Sequence, residues 1–153
     1  MSRLIGLDHG SRRIGLAVGD TETGLAFARP ALRRANLEAD VAAVIEVAAR
    51  EGAERVIVGL PLNMDGSEGP QAIAARTFGT RLAAAGLAVE FQDERLTSWE
   101  AGERLAAEGR RPPRRSGELD SAAARLILQE YLDALGRPGP GVDRGPSPAQ
   151  ERE

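Results

Sequence analysis

Three acidic residues stand where predicted strands or helices begin or end. Asp8 closes an apolar run, Glu94 follows an alternating one, and Asp120 lies near the start of a helical pattern. Such positions commonly carry functional side chains. If the fold brings the carboxylates together, two charges about 4 Å apart repel by roughly 4 kcal/mol at an effective dielectric near 20. The cluster would then need protons or cations, and hard divalent metals are the expected partners.

Asp8 and Glu94 each have a simpler interpretation. Asp8 precedes His9 and Gly10 and could cap a turn, as aspartate commonly does. Glu94 could be a surface carboxylate, and its neighbour Asp93 could be the ligand instead, because adjacent strand residues point to opposite faces of a sheet. The residues alone leave these alternatives open.

Asp120 could be the N-cap of the last helix. Its neighbours at i+3, i+7 and i+11 are Ala123, Ile127 and Tyr131, which place it near the apolar side of that helix. A carboxylate turned inward needs a partner. His9 could contact phosphate, but a lone histidine is more simply a residue of the turn that follows the first strand.

Composition limits the other kinds of chemistry. The chain has 153 residues, no cysteine, one histidine and a net charge of −3. This length fits one domain with its own core. The composition excludes zinc sites of the Cys/His kind and thiol catalysis, and it argues against a strongly basic nucleic-acid binder. No apolar run is long enough to span a membrane, so we expect a cytoplasmic protein with no membrane partner.

Arginines form a second group of candidates. All 20 basic residues are arginine, and the forked guanidinium suits phosphate oxygens. The arginine pairs could equally be solvated surface charge. The candidate nucleic-acid contacts are Arg12, Arg13, Asn63, Arg95, Arg110, Arg111, Arg114 and Arg115.

The elements that must position these residues follow from periodicity. Three short strands are predicted first, at 3–8, 14–18 and 24–29, with the third ended by Pro30. A helix from Asn36 to Gly52, a strand at 56–60, a helix from Pro70 to Gly86 and a strand ending at Asp93 come next. Ile73, Ala74, Phe78, Leu82 and Ala85 are predicted to form the buried stripe of the second helix.

The remaining segments are a predicted helix opening at Thr97, a mobile basic loop at 108–117 and a last helix from Glu118 carrying Leu119, Ala123, Leu126, Ile127 and Leu135. Residues 1–135 form the predicted domain, and the Pro- and Gly-rich residues 136–153 form a predicted disordered tail. The order gives an α/β fold with a mixed five-stranded sheet, three strands antiparallel and then two parallel, flanked by helices. Asp8 and Glu94 would share one edge of it.

Four ordered motifs resemble the YqgF (RuvX) family of pre-16S rRNA nucleases, which is related to RuvC-type Holliday-junction resolvases. The motifs are residues 7–17, 58–66, 93–97 and 120–125, within a resemblance spanning residues 4–132. The resemblance implies an RNase H-like fold and a nuclease site that uses Mg²⁺ or Mn²⁺, with two ions about 4 Å apart. It also implies that Asp8, Glu94 and Asp120 are the catalytic metal ligands, which favours Glu94 over Asp93.

The expected function is therefore metal-dependent hydrolysis of phosphodiester bonds in structured nucleic acid, at the 5′ end of pre-16S rRNA during ribosome biogenesis. One alternative is a Holliday-junction resolvase acting on branched DNA, which should be a symmetric homodimer. Another is a non-catalytic nucleic-acid-binding module. A kinase-like ATPase is less favoured, because such enzymes need two domains of this kind around the nucleotide.

Overall fold

The computed structural model describes residues 2–94 and 118–136, and for 118–120 it describes the backbone. Five strands and three helices lie in these ranges. The strands are β1 (Arg3–His9), β2 (Arg13–Asp20), β3 (Leu25–Arg33), β4 (Ala53–Leu60) and β5 (Ala88–Asp93). The helices are α1 (Leu37–Glu51), α2 (Pro70–Ala84) and α3 (Glu118–Gly136).

The strands form one mixed sheet in the order β3-β2-β1-β4-β5. β2 pairs antiparallel with both β1 and β3, whereas β4 pairs parallel with both β1 and β5. The predicted arrangement of three antiparallel strands followed by two parallel ones is confirmed. β1 is therefore the central strand, and Asp8 lies near its carboxyl end.

Helix α1 begins and ends where the sequence predicts. The side chain of Asn36 accepts a hydrogen bond of 2.9 Å from the Ala39 N–H, as an N-cap should. Gly52 closes the helix in the left-handed region at φ 68°, a conformation that glycine adopts without the penalty of a Cβ atom. The chain then enters β4 directly, which fixes the crossover between β3 and β4.

Strand β3 is longer than predicted. It runs through Pro30 to Arg33, so the expectation that Pro30 ends the strand is wrong. β3 is an edge strand, and its register against β2 shifts between Ile14 and Leu16, opposite Pro30. Proline has no N–H for the ladder but is tolerated at edges and bulges, and this position is both.

The core has a layer on each face of the sheet. Helices α1 and α2 cover one face, where Leu7, Val44, Val58 and Phe78 are buried. Helix α3 covers the other face, where Ile57 and Leu128 are buried with it. Residues of one strand alternate between the layers, so each position near the carboxyl edge can be assigned to the α1/α2 side or to the α3 side.

The predicted buried stripe of α2 is only partly correct. Phe78 and Leu82 are buried, but Ile73 is 54% exposed and Ala74 and Ala85 are exposed. Small residues form the contact instead, because a Cβ at Gly79 would lie 2.6 Å from the ring of Phe91. Ile73 lies six residues from Gly79, about 240° around the helix at 100° per residue, and so faces away from the sheet.

The last helix also departs from its predicted pattern at one end. Ala123, Leu126 and Ile127 are buried as expected, but Leu135 is 57% exposed. The predicted helix after Thr97, the basic loop at 108–117, the side chain of Leu119 and the predicted tail lie outside the described residues. None of the helices in the described ranges is long and apolar enough to cross a membrane.

Candidate active site

Asp8 is the next-to-last residue of the central strand and is half-buried. Its partner on β2 is Gly15. On the other side, Leu7 pairs with Val58, so Asp8 lies beside Gly59. Alternation places Asp8 on the α3 face, because Leu7 belongs to the α1/α2 layer. Asp8 therefore has a glycine beside it on each neighbouring strand.

Glu94 follows β5 directly and is held by the strand beside it. Its backbone N–H donates a 3.0 Å hydrogen bond to the carbonyl of Leu60, which continues the β4–β5 pairing by one residue. The side chain is only 3% exposed. A Cβ built on Gly59 would lie 2.9 Å from Glu94 Oε2, so the carboxylate occupies the space that Gly59 leaves open.

The two adjacent acids at the end of β5 have different surroundings. Asp93 pairs with Leu60, a residue of the α1/α2 layer, and is exposed. Glu94 is buried on the α3 side, against Gly59. Asp8 and Glu94 thus share one face of the sheet at its carboxyl edge, separated by a glycine.

Asp120 lies in the first turn of α3. Its side chain lies outside the described residues, but the backbone position of the turn is fixed by the next residue, Ser121. The Ser121 hydroxyl donates a 2.7 Å hydrogen bond to the Arg29 carbonyl and accepts one of 3.4 Å from the Leu16 N–H. Leu16 follows Gly15, the partner of Asp8. The first turn of α3, which carries Asp120, therefore lies next to the part of β2 that pairs with the end of β1.

Ser121 is a functional candidate that sequence reasoning missed. It is 5% exposed, and it joins β2 to β3 at the register shift beside Pro30. Its hydroxyl thereby satisfies a donor and an acceptor that the bulge could leave unpaired. Pro30 is the sequence signal for this contact, because a proline within a strand indicates a bulge whose backbone groups need a side-chain partner such as Ser121.

Helix α3 also lies very close to the sheet. A Cβ on Gly6 would lie 2.8 Å from Leu128 Cβ, and one on Gly59 would lie 2.5 Å from Ile127 Cδ1. Any larger residue at these strand positions would push the helix outward. The glycines of β1 and β4 therefore set the depth at which α3 packs against the sheet.

The donor set at this edge suits a hard divalent cation. Carboxylate oxygens are the ligands that Mg²⁺ and Mn²⁺ prefer, and Asp8 and Glu94 place such oxygens on one face of the sheet. Among the side chains that the structure describes, no three histidines or acids form a group able to hold a metal. Asp8 and Glu94 supply two acids on one face, and the helix turn brings the backbone of Asp120 to the same edge.

The first arginine candidates lie in the turn between β1 and β2. Arg12 is exposed and Arg13 is half-buried at the start of β2. The turn is held by Arg34, whose Nη1 donates to the Gly10 carbonyl at 3.1 Å and whose Nε donates to Asp40 at 3.2 Å. Asp40 is 3% exposed. This buried ion pair was not anticipated from the sequence.

Asn63 takes part in shaping its own loop. Its Nδ2 donates to Ser67 Oγ at 2.9 Å, and its backbone bonds both Ser67 and Gly66. These bonds account for an asparagine at this position without a ligand. The other candidate contacts, Arg95, Arg110, Arg111, Arg114 and Arg115, lie outside the described residues.

His9 is not the turn residue that the sequence suggests. It is the last residue of β1, is 6% exposed and lies on the α1/α2 face, with its ring centroid 4.7 Å from that of Phe78. Burial, and after it the charge of Arg34, lowers the pKa of His9 below its ordinary value. His9 and Asp8 therefore point to opposite sides of the sheet.

Comparisons with known proteins agree with this architecture. A family model described as "RuvX: Holliday junction resolvase" matches residues 2–134. A relative from Moorella thermoacetica is 47% identical over 138 residues, covering 90% of this chain and 99% of the relative. One from Anaeromyxobacter dehalogenans is 48% identical over 132 residues, covering 86% and 96%. Both carry the name "Putative pre-16S rRNA nuclease".

Solved structures share the fold at low sequence identity. RuvC of Thermus thermophilus in complex with a Holliday-junction substrate superposes with a TM-score of 0.54 at 17% identity, over 89% of this chain and 97% of that one. The Fowlpox virus resolvase gives 0.56 at 10% identity, over 88% and 99%. The chain therefore has the fold of RuvC-like resolvases. This confirms the predicted RNase H-like fold.

Proposed function

The chain belongs to the RuvX family, and from this we propose that it is a metal-dependent nuclease acting on structured nucleic acid, most directly on the 5′ end of pre-16S rRNA in the cytoplasm. Asp8, Glu94 and Asp120 are its proposed catalytic acids. The observation that carries the proposal is the buried Glu94 carboxylate, packed at Gly59 on the face of the sheet to which Asp8 belongs. The names of the curated relatives support the substrate.

The proposed site assigns the three acids to holding Mg²⁺ or Mn²⁺. When bound, two such ions would stabilise the charge that develops on the phosphate and activate the attacking water. Asp8, on the central strand, would hold the ions together with Glu94 and Asp120. Carboxylates that share one face of the sheet repel each other when both are charged, and a bound cation would relieve that repulsion.

The other residues of the site orient these acids. The Leu60 carbonyl fixes the backbone of Glu94, and Ser121 fixes the turn that carries Asp120. Arg12, exposed in the turn at the same edge, could donate to the phosphates of the strand that enters.

Branched DNA is the second candidate substrate. The description of the matching family model names a Holliday-junction resolvase, and phosphodiester hydrolysis is common to RNA and DNA. A resolvase that cuts two strands symmetrically should act as a homodimer. A dimer would therefore be expected if the junction is the substrate.

A cleavage assay tests the proposal. A labelled rRNA precursor and a four-way junction are incubated in parallel with the full chain and Mn²⁺ or Mg²⁺. We expect cleavage of at least the precursor by the wild type and by Asp93→Asn, and loss of cleavage in Asp8→Asn and Asp120→Asn with folding intact. The proposal would be contradicted by activity that survives a chelator. It would also be contradicted if the Asp8→Asn and Asp120→Asn variants cleaved as fast as the wild type.

A further inference from the structure

Four arginines face each other at the end of the β2–β3 ladder. Arg13 pairs with Arg33 in the register of the two strands. The Arg34 N–H then donates a 2.9 Å hydrogen bond to the Arg12 carbonyl, which continues the same register by one residue. Two successive cross-strand pairs therefore place arginine opposite arginine. Like charges directly opposite each other destabilise a sheet, because their Cβ atoms are only about 4.5–5.5 Å apart.

An acid compensates one of these charges. The Nε of Arg34 donates to Asp40 at 3.2 Å. Arg12 and Arg33 are exposed, and neither forms an ion pair with any residue that the structure describes. A fold that brings like charges together without an acid between them attracts anions to that surface.

The same arginines border a depression in the surface. It has a volume of about 410 Å³ and is lined by Ser11, Arg12, Arg33, Arg34 and Ala35. Within the described part of the chain, its lining contains no carboxylate. A cleft lined by one sign of charge concentrates ions of the opposite sign, and the forked guanidinium suits phosphate oxygens. Because both outer arginines are exposed, the depression can receive a chain of phosphates from solvent.

This basic end of the ladder lies at the same edge of the sheet as Asp8. Asp8 pairs with Gly15 on β2, and Arg13 precedes Gly15 by two residues. Ile14, between them, belongs to the α1/α2 layer. Alternation therefore places Arg13 and its partner Arg33 on the α3 face, which is also the face of Asp8.

Sheet geometry gives the separation between Asp8 and Arg33. Two residues along a strand span about 7 Å, and two strands across a sheet span about 10 Å. The Cα atom of Arg33 is therefore about 12 Å from that of Asp8, on the far side of β2. Since a stacked strand rises by about 3.4 Å per nucleotide, this distance corresponds to about three to four nucleotides.

We propose that Arg33, together with Arg12, binds the backbone of the nucleic-acid strand that is cut, about three to four nucleotides from the scissile phosphate. The strand runs from Asp8 across β2 to the edge strand β3. This inference rests on the proposed nuclease function and adds the direction in which the substrate lies. The predicted third strand ended at Pro30, so only the structure places Arg33 opposite Arg13.

Binding tests this contact without cleavage. The labelled rRNA precursor and the four-way junction are titrated with the full chain at several salt concentrations, with a chelator present. Each phosphate contact contributes about 0.7–0.9 to the slope of log K against log salt concentration. Arg33→Gln should therefore bind more weakly, with a slope shallower by about that amount. A slope equal to that of the wild type overturns the proposal.

Arg50 provides a matched control. It is exposed in the last turn of α1, which leads into the amino end of β4 at the opposite edge of the sheet from Asp8. Arg50→Gln removes the same charge as Arg33→Gln but should leave the affinity and the salt slope as in the wild type. If both variants weaken binding equally, the effect is one of net charge and the proposed path is wrong.

Uncharged phosphates locate the contact along the strand. Single phosphates within about four nucleotides on either side of the cut are replaced in turn by methylphosphonate, which carries no charge. One position, on one side, should weaken binding by the wild type about as much as Arg33→Gln does. At that position the replacement should not weaken binding by Arg33→Gln any further. Additive effects at every position would contradict a contact with Arg33.

The stability of the variant separates a binding role from a structural one. Because Arg33→Gln removes one charge of a repulsive pair, the midpoint of urea unfolding should stay the same or rise. A residue that mainly supports the fold would lower that midpoint when replaced. A lower midpoint in Arg33→Gln therefore contradicts the repulsion from which the contact is inferred.

Failure of this inference and failure of the proposed nuclease give different results. If the wild type cleaves its substrate and Arg33→Gln keeps the wild-type salt slope, the strand takes another path and only this inference fails. If the wild type cleaves neither substrate but Arg33→Gln has the shallower slope, the nuclease proposal fails and the basic surface remains a nucleic-acid contact.

Discussion

Replacing Gly59 by alanine should damage both the fold and the proposed site. The added Cβ would lie 2.5 Å from Ile127 Cδ1 and 2.9 Å from Glu94 Oε2. Both distances are shorter than real contacts of a Cβ atom, so both neighbours must move. Ile127 is fully buried and Glu94 is 3% exposed, which leaves neither side chain an easy path to solvent.

The size of each effect follows from the contact involved. Forcing a methyl group into a packed core costs about 1–3 kcal/mol, and we expect Gly59→Ala to lose that much free energy of unfolding in urea. Misplacing a catalytic group by about 1 Å can cost about 100-fold in rate. Displacement of the Glu94 carboxylate should therefore lower the cleavage rate by about that factor.

A double variant separates the two contacts. Ile127→Val removes Cδ1, and alone it should cost about 0.5–1.5 kcal/mol and leave the cleavage rate unchanged. In Gly59→Ala/Ile127→Val the new methyl takes the vacated space, so the destabilisation should be less than the sum of the two single values. The contact with Glu94 persists, so the rate should stay low.

Urea unfolding and the rate of precursor cleavage are measured for the four chains. The reasoning would be refuted by a Gly59→Ala variant as stable and as active as the wild type. It would equally be refuted by a double variant that regains both stability and rate, because Gly59 would then have no direct effect on Glu94.

Three further predictions concern contacts away from Gly59. Asp40→Asn should lower the free energy of unfolding in urea by about 1–3 kcal/mol, because Arg34 and the Ala35 N–H both donate to the charged Asp40 carboxylate. An unchanged midpoint of urea unfolding would contradict a stabilising role of this ion pair. Ser121→Ala should also lower the free energy of unfolding by about 1–3 kcal/mol, since the Leu16 N–H and the Arg29 carbonyl lose their partner. It should lower kcat more than it raises KM. If neither the stability nor kcat changes, Ser121 has no role in the site. Replacing Arg110, Arg111, Arg114 and Arg115 together should weaken nucleic-acid binding and flatten its salt dependence; an unchanged salt slope would identify these residues as solvated surface charge.

Much of the sheet could be predicted because its signals are local. The period-2 alternation of β2, the apolar run of β4 and the caps of α1 depend on neighbours in sequence, and the structure agrees with them. The placement of Asp8 and Glu94 at one edge followed from strand direction alone. Alternation showed that Asp93 and Glu94 must face opposite ways, but only the family resemblance chose between them.

The remaining features depend on contacts between distant segments. Pro30 is accommodated because β3 is an edge strand with a bulge, which no local pattern reveals. The close approach of α2 to Phe91 at Gly79 requires small residues on the buried face of that helix. Ser121 meets residues 92 and 105 positions away along the chain. Such pairings are decided by packing, so periodicity could not predict them.

The central claim is that Asp8, Glu94 and Asp120 together hold divalent metal, and Mn²⁺ binding tests it most directly. Free and bound Mn²⁺ can be counted by electron paramagnetic resonance in the wild type and in Asp8→Asn, Glu94→Gln and Asp120→Asn, with Asp93→Asn as the matched control. Since loss of a residue that only supports a ligand costs about 10–100-fold in metal affinity, each ligand variant should lose at least about tenfold, and Asp93→Asn should bind as the wild type does. Equal Mn²⁺ affinity in all five chains would contradict the account.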